Sequence, residues 1–187
     1  MPTTAQLVRQ LATARQRRAT EATIQSVVHH VLADPALSLG RITLEHPLPG
    51  GRRADLLAEG LVVETKRDLR PAGVLARATE QVCGYIRDLN VTTRRDHLGI
   101  VTDGAQWYAY RLHEHTVRLV GRHTVRGAAP EHEAHRLLTW LNHMRTHTRQ
   151  QAPTEPPPGQ LIVRMLLTAS AGVGLVLVLH ALLSALR

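Results

Sequence analysis

The chain has 187 residues and a mass of 20.7 kDa, room for one ordinary domain and a short appendage, which excludes a multidomain motor or a large modular enzyme. Hydrophobic residues make up 43% and charged residues 20%, a globular balance that excludes a disordered or collagen-like chain. A net charge of +8 and a pI near 11.1 point to a polyanionic partner, nucleic acid or an anionic lipid surface, and the lone Cys83 excludes an intrachain disulfide framework.

Residues 5 to 33 read as helix, in one or two pieces. Ile24, Val27, Val28, Val31 and Leu32 form one apolar stripe that Asp34-Pro35 ends. Strand-like segments follow at 41 to 46, 53 to 58 and 61 to 66. A turn cluster at 47 to 51 separates the first two, and Glu59-Gly60 joins the last two as a two-residue loop. Pro71 suits the first turn of a helix reaching about Leu89, with Leu75, Ala78, Val82, Ile86 and Leu89 inward. A polar connection covers 90 to 97. Strands at 98 to 102 and 105 to 112 flank the turn Asp103-Gly104, and 116 to 120 adds another. A helix from 131 to about 149 carries Leu137, Leu138, Leu141 and Met144. This order predicts one mixed α/β domain over residues 1–150. The run 151–160 contains four prolines and reads as a stiff spacer.

With Glu59-Gly60 as the loop, Ala58 faces Leu61, and counting outward brings Asp55 opposite Glu64. Two like charges so placed repel unless something positive sits between them. Of the 23 basic residues only Lys66 is a lysine, and period-two alternation puts it on the same face as Glu64. Arginine stays charged and forks its donors in a plane, so a lone lysine marks a place where a compact ammonium is needed. Two carboxylates from adjacent strands form a hard oxygen site suited to Mg²⁺, and an ammonium beside them can hold or help deprotonate a water for attack on phosphorus. The competing reading is a surface hairpin with a trivial Glu64–Lys66 pair; the apolar run Leu61, Val62, Val63 leading into Glu64 argues against it.

Asp55 with Glu64-Thr65-Lys66 resembles the D…ExK signature of the PD-(D/E)xK nuclease superfamily. Gln81-Val82-Cys83-Gly84-Tyr85 is similar to its QxxxY helix motif, and Glu21 lies where a first-helix acid is often found. Gly51-Arg52-Arg53-Ala54-Asp55 and the stretch from Leu98 to Trp107 look like the N-terminal nuclease domain of type I restriction enzyme R subunits, with Ala54 in place of the nominal proline. The resemblance covers roughly residues 20 to 112. It implies a restriction-endonuclease-like mixed sheet flanked by helices, and Mg²⁺ (or Mn²⁺) held by Asp55, Glu64 and the backbone carbonyl of Thr65. It further implies that Lys66 serves the attacking water and that Gln81 and Tyr85 shape the site or touch the substrate backbone.

Glu21 lies within about 20° of Val28 on a helical wheel, so it shares the core-facing stripe. It would then be satisfied by metal coordination, or else act as a dipole partner at a helix beginning near Thr20. Gln81 and Tyr85, four apart, share one helix face, as ordinary boundary residues also would. Arg52, Arg53, Arg67, Arg70 and Arg77 surround the acids in sequence and suit phosphate contact, the alternative being solvated charge. Aromatic residues are only 3%, which argues against a base-stacking platform. The twelve histidines, including His143 and His147 at helical spacing, form no HExxH motif and read as solvated.

From Met165 to Leu186 no residue carries a formal charge, and 22 helical residues span about 33 Å, enough to cross a bilayer. A C-terminal transmembrane helix over 161–187 is therefore expected, the alternative being a helix buried in a soluble dimer. Arginines before the span place the domain on the cytoplasmic face of the inner or plasma membrane, and the polar start predicts no signal peptide. The expected activity is Mg²⁺-dependent hydrolysis of DNA by a membrane-tethered endonuclease, in restriction or phage defence. The rival is a non-catalytic, membrane-anchored adaptor or nucleic-acid-binding module on the same fold. RNA in place of DNA, a homodimer and an ATP-driven partner protein are left open.

Overall fold

The computed structural model describes residues 2–14, 17–114 and 116–150, with side chains through 146. Two helices open the chain, α1 (Thr4–Ala14) and α2 (Glu21–Leu32), so the helical stretch at the start falls into two pieces. Thr20 caps α2 by accepting the N–H of Thr23, and Asp34 accepts the N–H of Ala36 to start a single 3₁₀ turn at Pro35–Leu37. Then come β1 (Thr43–Pro47), β2 (Arg53–Ala58), β3 (Leu61–Thr65), α3 (Val74–Thr93), β4 (Leu98–Thr102), β5 (Gln106–His113), β6 (Thr116–Thr124) and α4 (Pro130–Gln150).

The six strands form one mixed sheet in sequential order, β1 to β6. Every neighbouring pair is antiparallel except β3 and β4, which run parallel because α3 carries the chain back between them. These two central strands are buried along their whole length, as a parallel pair covered on both faces must be. One face packs on α3, where Ala78, Val82, Tyr85, Ile86 and Leu89 meet Val62 and Val101. The other packs on α1, α2 and α4, with Trp107, Ile100, Val63 and Leu137 in its core. Gly99 lets α3 press onto β4: a Cβ there would fall 2.6 Å from Cδ1 of Ile86.

Turn chemistry sets the hairpin at the centre of the argument. Gly60 takes φ +70 in the loop, and Ala58 pairs with Leu61, Leu57 with Val62 and Leu56 with Val63, the expected register. Elsewhere the boundaries move. The third helix begins at Val74 with Gly73 as its cap, not at Pro71, which instead accepts the Val74 N–H from one turn upstream. It also runs through the first half of the expected connection, to Thr93, where the Thr92 and Thr93 hydroxyls bond back to the carbonyls of Asp88 and Leu89 and Arg94 closes it in the left-handed region. The last strand extends four residues past Val120. Among the described residues no helix is long and apolar enough to cross a membrane; the expected spacer at 151–160 and span at 161–187 lie outside them.

Candidate active site

The strand ladder between β2 and β3 ends at Leu56–Val63. At the next step the Asp55 side chain takes over as acceptor: its Oδ2 receives the backbone N–H and the hydroxyl of Thr65, both at 2.6 Å. Alternation along β3 turns Glu64 to the same side as Val62, toward α3. It is 2% exposed. Oε1 of Glu64 pairs with Lys66 Nζ at 2.5 Å, whereas Oε2 is buried and has no hydrogen-bond partner among the described residues. Asp55 Oδ1 likewise makes no hydrogen bond among them. Each carboxylate therefore has one oxygen held by the protein and one left open.

Electrostatics follow from this burial. The Glu64 carboxyl is pushed up to about 7, first by burial, then by the negative charge of Asp55, while the Lys66 hydrogen bond pulls the other way. Asp55 is also raised by burial, against the two bonds from Thr65. For Lys66 burial works to lower the pKa, but the hydrogen bond and charge of Glu64, then the charges of Glu21 and Asp55, outweigh it and raise the ammonium above its ordinary value. Lys66 is thus a fixed cation at neutral pH. Tyr85 is buried against this group and is pushed above its usual range by burial and then by the charges of Glu64 and Asp55.

For Glu21 the structure gives the expected helix start after Thr20 but not the core-facing position. Glu21 shares its angular position with Val28, but as the first residue of α2 it hangs beyond the core, with its side chain 49% exposed. From there Oε1 lies 3.7 Å from Lys66 Nζ and Oε2 accepts the N–H of Arg67 at 3.2 Å. Gln81 is exposed and makes no hydrogen bond among the described residues, so of the QxxxY pair only Tyr85 lies against the acids. Of the five arginines, Arg52 lies across Gly84 and pairs with Asp88, and Arg70 pairs with Asp68 at 2.7 Å. Arg53, Arg67 and Arg77 are exposed, and their side chains form no ion pair among the described residues.

Three supporting residues escaped the sequence reading. Gln25 on α2 reaches down with Nε2 to the Asp55 carbonyl at 3.0 Å and to Glu45 Oε1 at 2.7 Å, pinning the strand that carries Asp55. The Thr65 hydroxyl, where only the carbonyl was expected to matter, orients Asp55. Asp103, completely buried, accepts N–H groups from Leu69, Ala105 and Gln106, and so fastens the segment after Lys66 to the β4–β5 turn. Only the polar residue types hinted at these roles; the bonds from Gln25 to Asp55 and from Leu69 to Asp103 join residues 30 and 34 apart.

The donor set fits a hard divalent cation. Two anionic oxygens stand open, and Mg²⁺ binds through one or two carboxylates while keeping waters. No three His, Cys, Asp or Glu side chains gather into a metal-binding set among the described residues, so water, carbonyl or phosphate oxygens would complete the shell. Comparison with protein-family models, with curated proteins and with solved structures finds no match for this chain.

Proposed function

We propose that the protein is a metal-dependent phosphodiesterase of the PD-(D/E)xK type, acting on DNA. The observation that carries this reading is the half-satisfied carboxylate pair: Asp55 and Glu64, both partly or fully withdrawn from water, each present one unbonded oxygen, beside the one lysine of the chain. Leaving a buried carboxylate oxygen without a donor costs free energy, so a fold that does so at Glu64, beside a second carboxylate with an open oxygen, suits a cation.

Asp55 and Glu64 would hold Mg²⁺, or Mn²⁺, which when bound supplies Lewis-acid polarisation of a phosphoryl oxygen and a more acidic water. The residues themselves do the rest. Thr65 and Gln25 fix the position of Asp55 through its carboxylate and its carbonyl. Lys66, kept protonated by Glu64 and Glu21, is a donor that orients the attacking water and offsets charge building on the phosphate as the new P–O bond forms and the old one breaks. Tyr85 walls the pair on the α3 side and keeps its phenol proton. Arg53, Arg67 and Arg77 are available for backbone phosphates. Attachment to the cytoplasmic face of a membrane through 161–187, and a role in restriction or defence, are further parts of the proposal; the uncharged run from Met165 to Leu186 supports the first.

The test is cleavage of DNA by the full chain with Mg²⁺ and with EDTA. Wild type cuts only with the metal, and Asp55→Asn and Lys66→Ala do not cut. Cleavage by both variants at the wild-type rate would overturn the assignment, and metal-independent binding without cleavage would leave a nucleic-acid-binding module.

A further inference from the structure

At the far edge of the sheet, the end of β6 and the first turns of α4 enclose a cavity of about 470 Å³, within the range of small-ligand pockets. Arg122, Arg126 and Arg136 line it, together with His123, His132 and Glu133. None of the three guanidinium groups makes a hydrogen bond or an ion pair among the described residues. The obvious partner, Glu133, is otherwise engaged: its Oε2 accepts the backbone N–H groups of Arg126 and Gly127, both at 2.7 Å. His123 stacks on Trp140 with ring centroids 5.7 Å apart, and its Nε2 is buried without a partner. Burial, then the charge of Arg136, lowers this imidazole below its ordinary pKa. The cavity thus gathers three guanidinium groups that make no ion pair among the described residues.

Its position matters as much as its charge. Thr65 pairs with Thr102, Thr102 with Trp107 and Trp107 with His123, a single row across the sheet. The row starts next to Lys66 and ends in the cavity, three strand spacings or about 14 Å away. That span corresponds to about four base pairs at 3.4 Å each along a duplex axis. Guanidinium groups in a concave setting match phosphate oxygens in a fork, and the one carboxylate lining the cavity, Glu133, accepts backbone N–H groups instead of pairing with them.

We propose that this cavity holds a backbone phosphate of the same nucleic acid whose scissile phosphodiester lies at Asp55 and Glu64. The inference rests on the nuclease reading of that site and adds a second anchoring point, on the opposite edge of the sheet from β1.

The experiment measures affinity of the full chain for a labelled DNA duplex in EDTA over a range of salt, with cleavage in Mg²⁺ assayed in parallel. The variants are the triple Arg122→Ala, Arg126→Ala, Arg136→Ala, the single Arg136→Glu, and Arg9→Ala on α1 as a control for lost charge. All four arginines are exposed, so the fold is retained. The triple variant is expected to bind about 100-fold more weakly and to flatten the slope of log K against log salt by about two to three. Its kcat at saturating DNA stays within about twofold of wild type, since the cavity touches no reacting atom. A duplex ending less than about four base pairs from the cut on the cavity side loses the same advantage with wild type. If the triple variant and Arg136→Glu bind as Arg9→Ala does, or lose only binding to phosphatidylserine vesicles, the inference is overturned while the nuclease reading stands. If binding falls as expected but wild type cuts nothing, the cavity remains a phosphate site and the nuclease reading fails. If wild type binds no DNA at all, both fall.

Discussion

Two buried carboxylates, Glu64 near the end of β3 and Asp103 in the turn after the neighbouring β4, are treated in opposite ways. Asp103 is saturated by three backbone N–H groups, from Leu69, Ala105 and Gln106. Glu64 has one oxygen on Lys66, and the other makes no hydrogen bond among the described residues. Burial is the same, so the difference lies in whether the fold supplies donors. Where it does, the acid is part of the scaffold; where it withholds them, the site trades stability for the capacity to bind something not yet there.

The sharpest way to break this comparison is activity. Lys66→Ala should lower kcat for DNA cleavage by about 10²–10⁴-fold, because it removes a donor that acts on the reacting group, and should lower the melting temperature as well, because it strips the buried Glu64 of its partner. Single-turnover cleavage beside a thermal melt checks both halves. Next in size is Asp103→Ala, which strands three N–H donors, two of them in buried bonds, and should cost about 3 kcal/mol, or about 10 °C in Tm. Glu64→Gln should move the other way. Without metal at pH 8 it removes a charge that burial disfavours, and urea unfolding should show a gain of about 1 kcal/mol.

Proton linkage gives a further readout of Glu64. The Glu64 carboxyl titrates near 7 in the folded chain against an ordinary 4.5, so the folded state holds the proton more tightly. Its contribution to stability is complete below about pH 4.5 and is lost as pH rises through 7, a swing of at most about 3 kcal/mol. Asp55, also raised, acts in the same direction. Urea midpoints in EDTA should therefore fall between pH 5 and pH 8 in wild type and fall less in Glu64→Gln. The smallest effects belong to the periphery. Thr65→Val removes one of the two bonds to Asp55 and should cost about 1 kcal/mol, while Arg70→Ala, in an exposed pair with Asp68, should leave the urea midpoint unchanged.

Much of this arrangement was legible in the sequence because short-range rules govern it. A two-residue loop with a glycine dictates the β2–β3 register, and that register alone brings Asp55, Glu64 and Lys66 together. The apolar run of β3 announced its burial. Axial and tertiary information was not legible. A helical wheel gives the angle that Glu21 shares with Val28, but at the helix start, which Thr20 marks, sharing that angle no longer means sharing the core. Propensity could not see that Thr92 and Thr93 would extend α3 by bonding back to its own carbonyls. Asp103 looked like a turn residue, and its bond to Leu69 joins positions 34 apart. The arginine cavity is assembled from β6 and α4, and nothing local to either segment marks it.

The most direct test of the central claim is the effect of saturating Mg²⁺ on thermal stability at pH 8 for wild type, Asp55→Asn and Glu64→Gln. If the two open oxygens are there for a cation, wild type gains up to about 3 kcal/mol, several degrees in Tm, at a metal concentration well above Kd, and the two variants gain nothing. An equal rise in all three proteins would show that the metal binds elsewhere and that the carboxylate pair is not its site.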